Sequence, residues 1–166
     1  MTRDEIREIA DIVGGDKTYV HFVRRINKEF DLADEDRNSN VFVRTIESDG
    51  KKVGFCVLGF SPAKMKVWKQ TFNDEGWVTD SFKMEGSPFE LMYMYVQPEY
   101  RRKGLGSKLL TDAKNFAKNK EIKEIYSYVS DQSKRALDFY KKMDAEIIKD
   151  FSDGEVSTAF IRWQLG

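Results

Sequence analysis

The amino-acid sequence predicts a mixed α/β fold of the α+β kind, in a single domain spanning residues 1–166. Three observations lead there. Amphipathic helical stretches and β-like apolar stretches follow one another from end to end. No linker, repeat or low-complexity tract divides them. A chain of 166 residues with 40% hydrophobic content can bury one good core but is short for two independent ones.

Thr2 followed by Glu5 is a capping-box pattern, and Ile6, Ile9, Ala10 and Val13 then recur at helical spacing until Gly14-Gly15 stops the run. Tyr19, Phe22, Val23, Ile26 and Phe30 form the stripe of a second helix, which places the single histidine, His21, off that stripe and on the surface. Val41 to Ile46 is β-like, Asp49-Gly50 is a two-residue hairpin signal, and Val53 to Phe60 is the returning strand. Between Ser61 and Pro88 the period is lost. A short helix from Pro62 to Phe72 followed by loop fits there, and Trp68, Phe72, Trp77 and Phe82 make the segment a packed flap rather than a disordered linker. Phe89 to Val96 is the next strand, ended by Gln97-Pro98 because proline cannot donate to a ladder. Leu105, Leu109, Leu110, Ala113, Phe116 and Ala117 trace one helix face, and Ile122 to Val129 is a strand. Ser130 or Asp131 is the expected cap of a helix carrying Ala136, Phe139, Tyr140 and Met143, and two closing strands flank a turn at Ser152-Asp153-Gly154.

Charge excludes some functions. The 28 basic and 28 acidic side chains cancel, so no global field favours nucleic acid or an anionic membrane, and any anion must be held by a local site. No apolar run is long enough to span a bilayer and no signal-peptide core is present, so a soluble, cytoplasmic protein is expected. Cys56, the one cysteine, lies in Phe55-Cys56-Val57-Leu58 and reads as a buried strand residue rather than a nucleophile. With one histidine and one cysteine, no metal site is expected.

The chemistry concentrates between Val96 and Ser107. Gly104 and Gly106 have no side chain to block a ligand, and the helix that opens through Leu105, Gly106 and Ser107 offers N–H groups without intrahelical partners at the positive end of its dipole. Such a junction cradles phosphate oxygens, and Arg101, Arg102 and Lys103 add three cations at the same turn. Two commoner phosphate motifs fail on spacing. The dinucleotide fingerprint needs glycine where Leu109 stands, and a P-loop needs lysine and then serine or threonine, whereas Ser107-Lys108 has the reverse order.

Arg101-x-x-Gly104-x-Gly106 after an apolar strand resembles the acetyl-CoA pyrophosphate motif of the GNAT superfamily of N-acetyltransferases, and Ser133-x-x-Ala136-x-x-Phe139-Tyr140 resembles its second block. The order of elements follows the family over nearly the whole chain. The resemblance implies a mostly antiparallel mixed sheet of about six to seven strands, splayed into a V at the coenzyme site and flanked by about four helices. It implies acetyl-CoA as acyl donor, held by Arg101, Arg102, Lys103, Gly104, Leu105, Gly106, Ser107 and Ser133, with the main chain of Met94, Tyr95 and Val96 pairing with pantetheine like an added strand. Ser133 replaces the usual asparagine, and Asp144-Ala145 stands where Gly-Phe is common, so the turn there is expected to differ.

Acyl transfer to an amine needs a base, because an alkyl amine has a pKa of about 10, together with an oxyanion donor and an acid for the thiolate. Glu90, whose spacing to Arg101 resembles that of the family's catalytic glutamate, is the candidate base; a solvated carboxylate at the strand edge is the other reading. Tyr140 taken alone reads as core, and within its motif the resemblance makes it the acid. The two N-terminal helices and the flap should form the acceptor side, where Asp74, Glu75, Asp80 and Glu85 could attract a cationic amine and Trp68 and Trp77 could pack on its carbons. A small-molecule amine is the first expectation for the acceptor and a protein lysine or N-terminus the second. A catalytically silent acyl-CoA sensor is the reading from another class, and a homodimer is left open.

Overall fold

A computed structural model describes residues 1–14, 24, 40–77, 86–131, 135–152 and 157–166. The second helical stripe, His21, Asp80, Phe82, Glu85, Ser133 and the turn at Asp153-Gly154 lie outside the described residues.

Helix α1 (Arg3–Val13) starts where the capping box puts it. The Thr2 hydroxyl accepts from the Glu5 N–H at 3.2 Å and the Glu5 carboxylate accepts from the Thr2 N–H at 2.9 Å. Its buried residues are Ile6, Ile9, Ile12 and Val13, so Ile12 takes the place expected of Ala10, which is half-buried. Strands β1 (Val41–Ser48) and β2 (Lys51–Gly59) form an antiparallel hairpin. Asp49 (φ 55°) and Gly50 (φ 73°) are both left-handed, the backbone a two-residue turn needs to match strand twist. A register shift at Ile46/Glu47 leaves Val53 without a partner on β1, and its carbonyl instead accepts from the Gln97 N–H at 2.8 Å.

Helix α2 (Pro62–Asp74) has proline in its first turn and runs two residues beyond the expected Phe72. Strand β3 (Phe89–Val96) is followed by a 3₁₀ turn (Pro98–Tyr100), helix α3 (Leu105–Asn119) and strand β4 (Glu124–Asp131). Ser130 and Asp131 belong to β4, so neither caps α4 (Arg135–Lys142) as the sequence suggested. Strands β5 (Glu146–Asp150) and β6 (Ser157–Gln164) close the chain.

Three helices end in the same device, in which a left-handed residue lets the next N–H reach back to the helix. It is Gly76 after α2 (φ 68°), Glu121 after α3 (φ 62°) and Asp144 after α4 (φ 66°), with Trp77, Ile122 and Ala145 donating to the carbonyls of Phe72, Ala117 and Tyr140. Asp144 thus adopts the left-handed conformation that glycine more readily takes, at a cost of about 1 kcal/mol.

The six strands are ordered β1-β2-β3-β4-β6-β5, antiparallel within β1/β2, β4/β6 and β5/β6 and parallel for β3/β4. The expected α+β class with a mostly antiparallel mixed sheet and four helices is what the described residues form. The chain makes two compact units, Met1–Gly59 with Leu91–Phe116 and Phe60–Glu90 with Ala117–Gly166. In the first, Ile6, Ile9, Ile12 and Val13 of α1 pack on Val41, Phe55, Val57 and Tyr95. In the second, Met65, Trp68 and Phe72 of α2 pack on Tyr126 and Phe160. Each such side chain contributes roughly 1.5–3 kcal/mol by leaving water.

Gly54 shows how closely β2 and β3 approach. A Cβ there would lie 2.8 Å from the Tyr95 carbonyl oxygen and 3.1 Å from methyls of Ile46 and Val96, and a backbone oxygen cannot move aside as a side chain can. Gly54→Ala is therefore expected to destabilise the protein by about 1–3 kcal/mol in urea unfolding; an unchanged midpoint would mean that the strands are not so close.

Candidate functional site

The turn after β3 is built by backbone constraints. Gln97 is tied to Val53, Tyr100 and Arg101 close the 3₁₀ turn onto the carbonyls of Gln97 and Pro98 at 2.9 and 3.3 Å, and the chain then passes through left-handed Arg102 (φ 63°) and Gly104 (φ 77°) into α3. The first bond of that helix runs from the Lys108 N–H to the Gly104 carbonyl at 3.1 Å, so the N–H groups of Leu105, Gly106 and Ser107 lie ahead of it. Residues 101–104 are exposed and 105–107 half-buried. A Cβ at Gly104 would meet no protein atom within 4 Å; what this position demands is its φ. Three N–H groups ahead of the first backbone bond, at the positive end of a 15-residue helix, are the kind of donor set that can take an anion such as a diphosphate.

The three cations of the turn divide their work. Arg101 braces the strand end: its Nε donates to the Val96 carbonyl at 2.7 Å, and its guanidinium lies 5.4 Å from the centre of the Tyr95 ring. Lys103 lies 5.5 Å from the Tyr100 ring and Lys51 of β2 lies 5.8 Å from it. Arg102 is exposed at the left-handed position.

Main-chain direction along β3 follows from the same contacts. The Gln97 N–H points to β2, and strand groups alternate with a period of two, so the main chain of Tyr95 faces β2 while that of Met94 and Val96 faces the opposite edge. Side-chain burial does not alternate along this strand, because Phe89, Glu90 and Leu91 are all buried and Met92, Tyr93 and Met94 are all half-buried.

An ion pair that the sequence reading missed anchors α3. Arg44 of β1 donates from Nε and Nη2 to the two carboxylate oxygens of Asp112 at 2.7 and 3.1 Å, and its guanidinium lies 4.9 Å from the Phe116 ring, which Phe42 meets edge-on at 5.1 Å. The hydrogen bond to Asp112 raises the Arg44 pKa. Both side chains are over a third exposed, so the pair is worth no more than about 1 kcal/mol; its bidentate geometry is what orients the helix. Sixty-eight positions separate the partners, and nothing local marks either residue.

Glu90 is 5% exposed, which removes the reading of a solvated strand-edge carboxylate. It stands in register with Tyr126 of β4, Tyr126 with Arg162 of β6, and Arg162 with Glu146 of β5, so these residues form one row on one face of the sheet. The Tyr126 hydroxyl donates to Glu124 at 2.6 Å, and its pKa is raised by burial first and then by that carboxylate. Buried Arg162 donates to Glu146 at 2.6 and 3.0 Å and to Glu124 at 3.4 Å. The parallel register of β3 with β4 ends at Glu90.

Tyr140 is half-buried on α4, edge-on to Trp163 with ring centres 5.4 Å apart, and the Trp163 indole N–H donates to the Met143 carbonyl at 3.0 Å. Trp68 lies 4.9 Å from Phe160, and Trp77 lies 5.3 Å from Phe72 and 4.9 Å from Phe151, so both tryptophans take part in packing. Asp74 accepts from the Gln70 side chain at 2.7 Å. Cys56 is fully buried, and burial, followed by the charge of Asp112, pushes its thiol up to about 12. Among the described residues no three His, Cys, Asp or Glu side chains are grouped to hold a metal ion, and no helix is long and apolar enough to cross a membrane.

The acetyltransferase (GNAT) family model matches residues 6–145. A thialysine N-epsilon-acetyltransferase from Bos taurus is 30% identical over 101 residues, 61% of this chain and 51% of that protein. The chain spans about half or less of the length of the sequence relatives it matches. Among solved structures, the PaiA N-acetyltransferase of Thermoplasma acidophilum in complex with coenzyme A superposes with a TM-score of 0.62 at 20% identity, over 99% of this chain and 95% of that one. The ribosomal-protein-S18-alanine N-acetyltransferase of Escherichia coli does so with a TM-score of 0.66 at 12% identity, over 100% and 91%. At these identities the structural likeness is one of fold.

The raised Cys56 pKa gives a direct expectation. Below a thiol pKa of about 12 the reactive thiolate is scarce, so the native protein at pH 8 should resist iodoacetamide and become labelled only in denaturant. Rapid labelling of the folded chain would contradict the burial.

Proposed function

The chain belongs to the GNAT acetyltransferase family, and on that premise we propose that it transfers the acetyl group of acetyl-CoA to a primary amine of a small molecule, directly and within a ternary complex. The observation that carries this reading is the row of N–H groups of Leu105, Gly106 and Ser107 behind left-handed Arg102 and Gly104. These groups would hold the diphosphate, with Arg102 and Lys103 adding charge. Arg101 serves the site by fixing the end of β3. Because the Tyr95 main chain faces β2, Met94 and Val96 are the residues whose main chain would pair with pantetheine, and Tyr95 holds the strand in place. Ser133 completes the proposed set from the second motif. On this reading residues 1–166 act as a single catalytic domain.

Bound acetyl-CoA supplies an activated thioester. Glu90 then removes the excess proton of the ammonium acceptor, and its burial keeps that carboxylate from bulk water. An N–H of Met94 or Val96 stabilises negative charge developing on the acetyl oxygen. Tyr140 donates its phenolic proton to the departing sulfur, its ring steadied by Trp163. An amine acceptor is supported by the relative named for acetylating thialysine.

The test is thiol release from acetyl-CoA across a panel of small amines and peptides. At least one small amine should turn over, and Tyr140→Phe should lower kcat about a hundredfold with coenzyme affinity unchanged. Coenzyme binding without any turnover would favour the silent sensor, turnover of peptides alone would move the acceptor to protein, and an unchanged rate in the variant would remove Tyr140 from the acid role.

A further inference from the structure

Helix α2 and the residues on either side of it enclose an open groove of about 390 Å³, within the size range of small-ligand sites. Met65, Lys66, Lys69, Gln70 and Asn73 recur at the spacing of one helix face and line it, with Phe60 and Gly86 opposite. The floor is apolar, since Met65 is buried and continuous with the packing of Trp68 and Phe72 beneath. The walls are polar. Lys66 is exposed and Lys69 half-buried, and among the described residues no ion pair engages either ammonium. Asp74, the one acid of the helix, accepts from the Gln70 side chain one turn earlier and stands at the end of the helix, beyond both lysines. Among the described residues, the groove thus presents two ammonium groups above an apolar base; Asp80 and Glu85, two of the four acids expected to colour this segment, lie outside the described residues.

We infer that this groove holds the carboxylate of the acceptor, so that the acceptor is an amino acid, or a similar amine bearing a carboxylate, rather than a simple di- or polyamine. The inference rests on the acetyltransferase reading and narrows its substrate class. Two ammonium groups one helical turn apart favour a carboxylate and repel a second cation, and the amide of Asn73 adds a hydrogen-bond donor. Chain length connects the groove to the proposed base. Gly86 lines the groove and Glu90 follows four residues later in the same compact unit, so their Cα atoms are at most about 14 Å apart, however extended the link. On this inference an acceptor seated by its carboxylate between Lys66 and Lys69 extends its distal amine towards Glu90.

Decarboxylated pairs give the test. With the full chain and saturating acetyl-CoA, kcat/KM is measured for lysine, ornithine and 2,4-diaminobutyrate against cadaverine, putrescine and 1,3-diaminopropane. The amino acid of at least one pair should be favoured tenfold or more. In Lys66→Gln/Lys69→Gln that preference should fall at least fivefold through KM, with kcat and coenzyme affinity kept. Equal rates within every pair, or a preference unmoved in a folded double variant, overturns the inference and leaves amine acetylation standing. Coenzyme binding with no turnover of any amine overturns both.

Discussion

The orientation of the first turn of α3 is the constraint on which the proposed chemistry depends. A helix offers N–H groups at its start whatever its sequence, but they can serve a ligand only if the incoming chain leaves them uncovered. Here the chain is turned aside by left-handed residues at Arg102 and Gly104, after Gln97 and Arg101 have fastened the end of β3 from two directions. Further along, Arg44 grips Asp112 and sets the roll of the helix. Strand, turn and helix are thus held by separate contacts.

A different principle governs the row from Glu90 to Glu146. A carboxylate out of water is costly unless polar neighbours compensate it. The sheet brings Tyr126 and Arg162 into register beside Glu90, with Glu124 and Glu146 sharing the charge of the arginine. The hydrogen bonds among Tyr126, Glu124, Arg162 and Glu146 hold those four side chains in fixed positions beside Glu90.

Features governed by neighbouring residues were legible in the sequence. Thr2 and Glu5 announced α1, Asp49-Gly50 announced the hairpin, and Gly104 with Gly106 announced the turn, because each acts through its own backbone conformation or over a few residues. Features that need distant partners were not. Arg44 and Asp112 look like ordinary surface charges until the fold brings them together, and the row through Tyr126 and Arg162 exists only once strand register is known. The described part of the flap is packed, since Trp68 and Phe72 join the core and Trp77 packs against it. Its charge was weighed over the segment rather than by helix face, which hid the fact that Lys66 and Lys69 line the groove while Asp74 pairs with Gln70. At Asp144 an aspartate adopts the left-handed conformation that glycine takes more readily, and the Ala145 N–H still reaches back to the Tyr140 carbonyl.

A crystal structure of the protein with coenzyme A bound tests the central claim most directly. Diphosphate oxygens should lie about 3 Å from the N–H groups of Leu105, Gly106 and Ser107, with Gly104 still left-handed. A diphosphate seated elsewhere on the chain, or those N–H groups covered by the protein's own side chains, would contradict the account.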